Sequence, residues 1–124
     1  KSLCGEEEPG KTLVFDEVDA GIGGRVAEAV GRRLRDISQI SQVLCVTHLP
    51  QIAAFARHHF NVRKEVVGAR TETFVSALEE SERIEELARM TGGAIITETT
   101  RRHAREMLEH SLNPAEGQKK QTLN

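Results

Sequence analysis

The sequence predicts an α/β fold in which parallel strands are flanked by helices and followed by a β-hairpin. Three observations carry that expectation. Residues 12–15 and 42–47 are short apolar, β-rich runs of the kind that form buried strands. Between them, Ala27, Val30, Leu34 and Ile37 recur at helical spacing. Farther on, residues 60–66 and 71–78 are extended runs on either side of a turn signal, Val67-Gly68-Ala69-Arg70.

Taken in order, residues 1–11 are polar and acidic, with Glu6-Glu7-Glu8-Pro9-Gly10 reading as an exposed surface loop. The first strand is stopped by Asp16-Glu17, so its carboxyl end opens onto acids. Gly21, Gly23 and Gly24 then turn the chain into a helix over 25–37, which keeps Arg25, Arg32, Arg33 and Arg35 on solvated faces. Strand, helix and strand in succession predict a right-handed crossover with both strands parallel and fully buried. Asp16 and His48 then end neighbouring or nearby strands on the same edge. Pro50 suits the first turn of a short helix reaching Arg57, because proline lacks only a donor that would be orphaned there anyway. After the hairpin, Ser81 can cap a helix that runs to Met90 and ends at Gly92-Gly93. Glu79 with Arg83, and Glu85 with Arg89, read as surface pairs at helical spacing. A last helix covers about 99–111, and residues 112–124 form a polar, flexible tail. Residues 12–111 therefore make one lobe.

Composition sets limits on function. The chain is 38% hydrophobic and 29% charged, ordinary for one globular unit. Its aromatic residues are four Phe, with no Trp or Tyr, so stacking on nucleic-acid bases is not expected. A formal charge of -2 gives no overall attraction to phosphate backbones, and any DNA contact must be local or lie elsewhere. Cys4 and Cys45 lack metal spacing; Cys45 sits in an apolar run as a reduced thiol, which fits a cytoplasmic setting. No segment approaches the roughly 18 apolar residues of a membrane span.

The acids after the first strand carry the chemistry. Ligands of open α/β sheets bind outside the carboxyl ends of parallel strands. Two adjacent acids there can divide two tasks: Asp16 can hold Mg²⁺, directly or through water, while Glu17 polarises a water for attack on a phosphoryl group. The plain alternative is that Asp16, Glu17 and Asp19 form a solvated turn. His48, just past the second strand, can donate a hydrogen bond to a phosphate oxygen in either protonation state.

The series Leu13-Val14-Phe15-Asp16-Glu17-Val18-Asp19-Ala20-Gly21-Ile22-Gly23-Gly24, with Val46-Thr47-His48-Leu49-Pro50-Gln51-Ile52-Ala53, resembles the Walker B, D-loop and H-loop of SMC-like and ABC-type ATPases. It is most similar to the RecN family of bacterial DNA-repair proteins. The likeness continues through residues 82–90 and 103–106. It implies a partial P-loop NTPase, the C-terminal lobe of an ABC/SMC-like head that binds ATP and Mg²⁺. Asp16 would be the Mg²⁺ aspartate, Glu17 and His48 the catalytic pair, and Asp19, Ala20, Gly21, Gly23 and Gly24 the D-loop segment facing a second head. Where transporters of the wider class carry Asp, this chain has Gly23. The resemblance further implies an N-terminal lobe of the same head as partner, a homodimer of heads, and contact with DNA through the full-length protein. Its setting would be the cytoplasm, at the nucleoid when acting in double-strand break repair and recombination.

Gly5-Glu6-Glu7-Glu8-Pro9-Gly10-Lys11-Thr12 matches G-x-x-x-x-G-K-[ST] letter for letter. A working phosphate loop follows a strand and opens a helix, whereas this one leads into a strand and places three Glu against the nucleotide. Thr12 and Asp16 would also have to meet at one Mg²⁺, yet strand geometry of ~3.3 Å per residue holds them roughly 13 Å apart. The match is a coincidence of letters. With the phosphate loop and signature sequence missing, the chain alone is expected neither to bind ATP tightly nor to hydrolyse it. Two other readings remain open: a non-catalytic, Mg²⁺-binding domain like a phospho-receiver, which would want a Lys at a later strand end, and a docking lobe that only completes another chain. His58, His59, His103 and His110 lack a tetrahedral ligand set.

Overall fold

The computed structural model describes residues 10–16 and 23–112. The chain runs β1 (Thr12–Asp16), α1 (Gly24–Ile37), β2 (Gln42–Val46), α2 (Pro50–Ala53), β3 (Phe60–Val67), β4 (Arg70–Ala77), α3 (Glu80–Gly92) and α4 (Glu98–Ser111). β1 and β2 pair in parallel, from Thr12 opposite Gln42 to Asp16 opposite Val46. β3 and β4 pair antiparallel, with Val67 opposite Arg70, so Gly68 and Ala69 form a two-residue turn. Gly68, at φ 65°, supplies the positive φ that such a turn requires. The expected parallel pair and hairpin are both present.

Three local expectations are corrected. α2 ends at Ala53 rather than Arg57, because the backbone tightens: the N–H groups of Phe55 and Ala56 donate to the carbonyls of Ile52 and Ala53, three residues back. α3 is capped by Glu79 rather than Ser81. The Glu79 N–H donates to Glu82 Oε1 at 2.9 Å, the reciprocal half of a capping box. Lastly, β1 and β2 are covered on one face only. Phe15, Val43 and Cys45 face inward beneath α1, whereas Val14, Leu44 and Val46 remain 66%, 49% and 60% exposed. Runs apolar on both sides demand two covering layers, and the described residues provide one.

The core consists of two clusters that meet at α2. Ala27 and Leu34 of α1 and Ile52 of α2 pack on the inner face of the β1–β2 pair. Ala53 and Ala54 join Leu87 and Ala88 of α3 and Ala104 and Leu108 of α4 in the other. Consecutive residues of one short helix thus tie the sheet to the helical pair, which fixes the sheet's edge relative to everything else. Small side chains make this possible. Phe55, itself buried, lies against Gly31 of α1, where a Cβ would come within 2.4 Å of the ring's Cδ2.

Candidate functional site

Because β1 and β2 are parallel and in register to their last residues, Asp16 and Val46 stand side by side at one edge. Neighbouring strands lie about 4.8 Å apart. His48 follows two residues beyond Val46, and both Asp16 and His48 are exposed there. The backbone at this point is held locally: the Leu49 N–H donates to Thr47 Oγ1 at 3.0 Å, and the buried Pro50 opens α2. Asp16, Thr47 and His48 therefore share the carboxyl edge, as their positions in the sequence predict.

The head of α1 borders the same corner. Gly23 is its N-cap in an extended conformation, and the Ala27 N–H closes the first turn on the Gly23 carbonyl at 2.8 Å. The first turn carries no acid and no side-chain cap, so its early N–H groups keep the partial positive charge of a helix start. A Cβ on Gly24 would lie 3.5 Å from Gln51 Nε2, which places the start of α1 beside the start of α2. The Gln51 Oε1 is buried without a hydrogen-bond partner among the described residues. Gln51 was not singled out as functional in the sequence; its place directly after the His-Leu-Pro turn is the signal that marks it. Glu17, Asp19, Ala20 and Gly21 lie outside the described residues, as do residues 1–9 of the acidic loop and 113–124 of the tail.

The described end of the segment that matches the phosphate-loop pattern leads into the opposite end of β1 from Asp16. Thr12 begins β1, directly after Gly10 and Lys11, and its hydroxyl donates to Gln42 Oε1 at 2.8 Å across the amino edge of the sheet. Asp16 ends the same strand. For a metal, the described residues hold no group of three or more His, Cys, Asp or Glu able to enclose an ion. An open carboxylate at a strand end suits Mg²⁺, which keeps several waters and takes one or two protein carboxylates together with substrate phosphates.

Of the arginines expected to be solvated, Arg25 is exposed, whereas Arg32 and Arg35 tie α1 to other segments. Arg32 reaches Glu28 at 3.2 Å, and His110 of α4 meets the same Glu28 oxygen at 2.8 Å. The His110 hydrogen bond foremost holds the Glu28 carboxyl below its usual range; burial opposes it, and Arg32 adds a further lowering. Arg32 and Arg35 also sit over the Phe55 ring, at 5.3 and 5.6 Å from its centroid. The expected Glu79–Arg83 and Glu85–Arg89 pairs do not form. Arg83 donates to the Ala56 carbonyl at 2.9 Å, Arg89 pairs with Glu86, and Glu85 pairs with Arg101 of α4 at 2.5 Å. Arg83 and Glu85 take partners from other segments, and Arg89 takes the i,i+3 carboxylate of its own helix, in place of i,i+4 contacts that contribute only about 0.2–0.5 kcal/mol each.

No protein-family model matches the chain. Individual proteins do. Over 107 residues it is 50% identical to the DNA repair protein RecN of Haemophilus influenzae, covering 86% of this chain and 19% of that protein. Over 109 residues it is 46% identical to RecN of Halalkalibacterium halodurans, covering 88% of the chain and 19% of that protein. This chain belongs to the RecN family. It also matches RecN of Bacillus subtilis, at 42% identity over 111 residues and 90% of its length. The chain spans about a fifth of the length of these RecN relatives. A chain solved in work on ATP-driven dimerization and DNA-stimulated activation of SMC ATPases superposes on it with a TM-score of 0.52 at 17% identity. The superposition covers 68% of this chain and 50% of the other. This RecN-family chain accordingly shares its fold with part of that solved chain.

Proposed function

We propose that this RecN-family chain supplies the magnesium and water half of an ATP-hydrolysing head that acts in DNA double-strand break repair and recombination. The observation that carries the reading is the shared carboxyl edge, where the parallel register sets Asp16 next to the strand leading to His48, beside the uncapped start of α1. In this reading Asp16 would hold Mg²⁺, which would supply positive charge to offset that of the phosphates. Glu17 accepts a hydrogen bond from the attacking water and takes its proton as the oxygen–phosphorus bond forms and the bond to ADP breaks. His48 donates to a γ-phosphate oxygen. Asp19, Ala20, Gly21, Gly23 and Gly24 form the stretch that meets a second head across the nucleotide.

The bare side of the β1–β2 pair supports the remaining partner. Val14, Leu44 and Val46 form an apolar strip on adjoining strands, and burying such surface contributes roughly 25 cal/mol per Å². A phosphate-loop-bearing N-terminal lobe of the same head is the partner proposed to cover it. Magnesium-ATP titrated into the chain alone should show no tight binding; adding that lobe should create it. Tight binding by the chain alone would contradict the division of labour between the lobes.

A further inference from the structure

Away from the strand edge, guanidinium groups crowd a cavity of about 320 Å³ where α1, the turn after α2, α3 and the end of α4 converge. Arg35, Arg57 and Arg83 line it together with Leu78, Ser111 and Glu80, and Glu80 is the single carboxylate among its lining residues. An adjoining cavity of about 330 Å³ is lined by the same three arginines. At about 30 Å³ per water, such a space holds on the order of ten molecules.

The charges here are not cancelled by the fold. Arg35 Nε donates to the Phe55 carbonyl at 3.1 Å, and its Nη1 to the Ser111 carbonyl. Arg83 Nη2 donates to the carbonyls of Ala56 at 2.9 Å and Ala53 at 3.3 Å. These partners are neutral. The Arg83 Nε is buried without a hydrogen-bond partner, and Arg57 makes no hydrogen bond or ion pair among the described residues. Burial first, then the neighbouring arginines, disfavours the charged forms of Arg35 and Arg83, with Glu80 partly offsetting this at Arg83.

We propose that this cavity is an oxyanion site that takes a phosphate group. Guanidinium forks match phosphate oxygens in pairs. Three positive charges against one negative leave a surplus of two, close to the charge of -1.5 to -2 that a phosphate monoester carries near neutral pH. A carboxylate would balance about half of it. The group can come from a free phosphate ester or from a nucleic-acid backbone, and the site is independent of the strand edge assigned to ATP.

Arg57 is the residue to test, because it anchors no backbone. The thermal midpoint of the chain is followed against inorganic phosphate, with ionic strength held constant by chloride, for the wild type, Arg57→Gln and Arg57→Lys. The wild type should show a saturable rise following the mass-action form for one site. Arg57→Gln should fold at least as stably without phosphate, since it removes repulsion, and bind phosphate at least tenfold more weakly, with Arg57→Lys between the two. A short DNA duplex is then tested by fluorescence anisotropy. Loss of duplex binding in Arg57→Gln assigns the group to a nucleic-acid backbone, and unchanged duplex behaviour assigns it to a free ester. Equal phosphate responses in the wild type and Arg57→Gln would overturn the proposal, because phosphate also stabilises folded proteins non-specifically by exclusion from their surfaces.

Discussion

Gly31 lets α1 approach Phe55 more closely than a side chain permits, since a Cβ there would lie 2.4 Å from the ring. In a free helix, Gly to Ala gains up to about 1 kcal/mol. Here the ring is buried and overlaid by Arg32 and Arg35, so it has little room to give. Overpacking costs about 1–3 kcal/mol, and Gly31→Ala should therefore lose on the order of 1 kcal/mol, read as a lower urea midpoint with unchanged slope. His59 sets a pH dependence. Burial foremost, and Arg83 beside it, push its imidazole below the ordinary value of 6.5, with Glu86 opposing. The unfolded chain thus binds the proton more readily, and stability falls as pH drops below about 6.5 until the folded form is charged as well. His59→Asn should flatten that decline in melts between pH 7 and 5. Glu28 and Glu86, both held below their ordinary 4.5, add their own losses only at lower pH.

At the scale of elements, α4 depends on its first turn. Thr97 Oγ1 accepts from the Thr100 N–H at 3.2 Å, while the Thr97 N–H donates to Thr100 Oγ1 at 2.9 Å. Thr97→Ala should cost about 1 kcal/mol in denaturant unfolding. This cap was legible only approximately in the sequence, where helical spacing located the helix but gave no reason to prefer Thr97 over Thr99 as its start. The cap at Glu79 was missed for a similar reason: Ser is the commoner cap, yet Glu82 lies three residues after Glu79 and selects it. Pairings that depend on local chemistry were readable, as in the two-residue turn at Gly68-Ala69 and the parallel order of β1 and β2. The arginine partners were not. Arg35 and Arg83 bind carbonyls supplied by segments far off in the chain, and no periodicity carries that information. The bare strip on the β1–β2 pair yields a further prediction. Leu44→Glu should leave the chain's own stability within about 0.5 kcal/mol, because the site is already exposed. The same change should abolish association with an N-terminal lobe in analytical ultracentrifugation.

Over the whole molecule, two cores meeting at α2 hold one sheet edge in place while one sheet face stays open. The apolar runs at 12–15 and 42–47 are expected to be covered on both faces, and the described residues cover one. Identity of 42–50% to RecN proteins over about a fifth of their length agrees with that picture. The edge where Asp16 and His48 stand was readable from spacing, because strand ends are fixed by where apolar runs stop. Gln51 beside it was not, since its buried oxygen is a product of how α1 and α2 meet. In the function proposed above, this edge carries hydrolytic chemistry completed by another lobe. Its most direct test is steady-state ATP turnover by the chain combined with a phosphate-loop-bearing N-terminal lobe, comparing Glu17 with Glu17→Gln. Turnover is expected only in the combined sample, with a loss of at least a hundredfold in kcat on Glu17→Gln and ATP binding retained; turnover unchanged by that substitution would rule out hydrolysis at this edge.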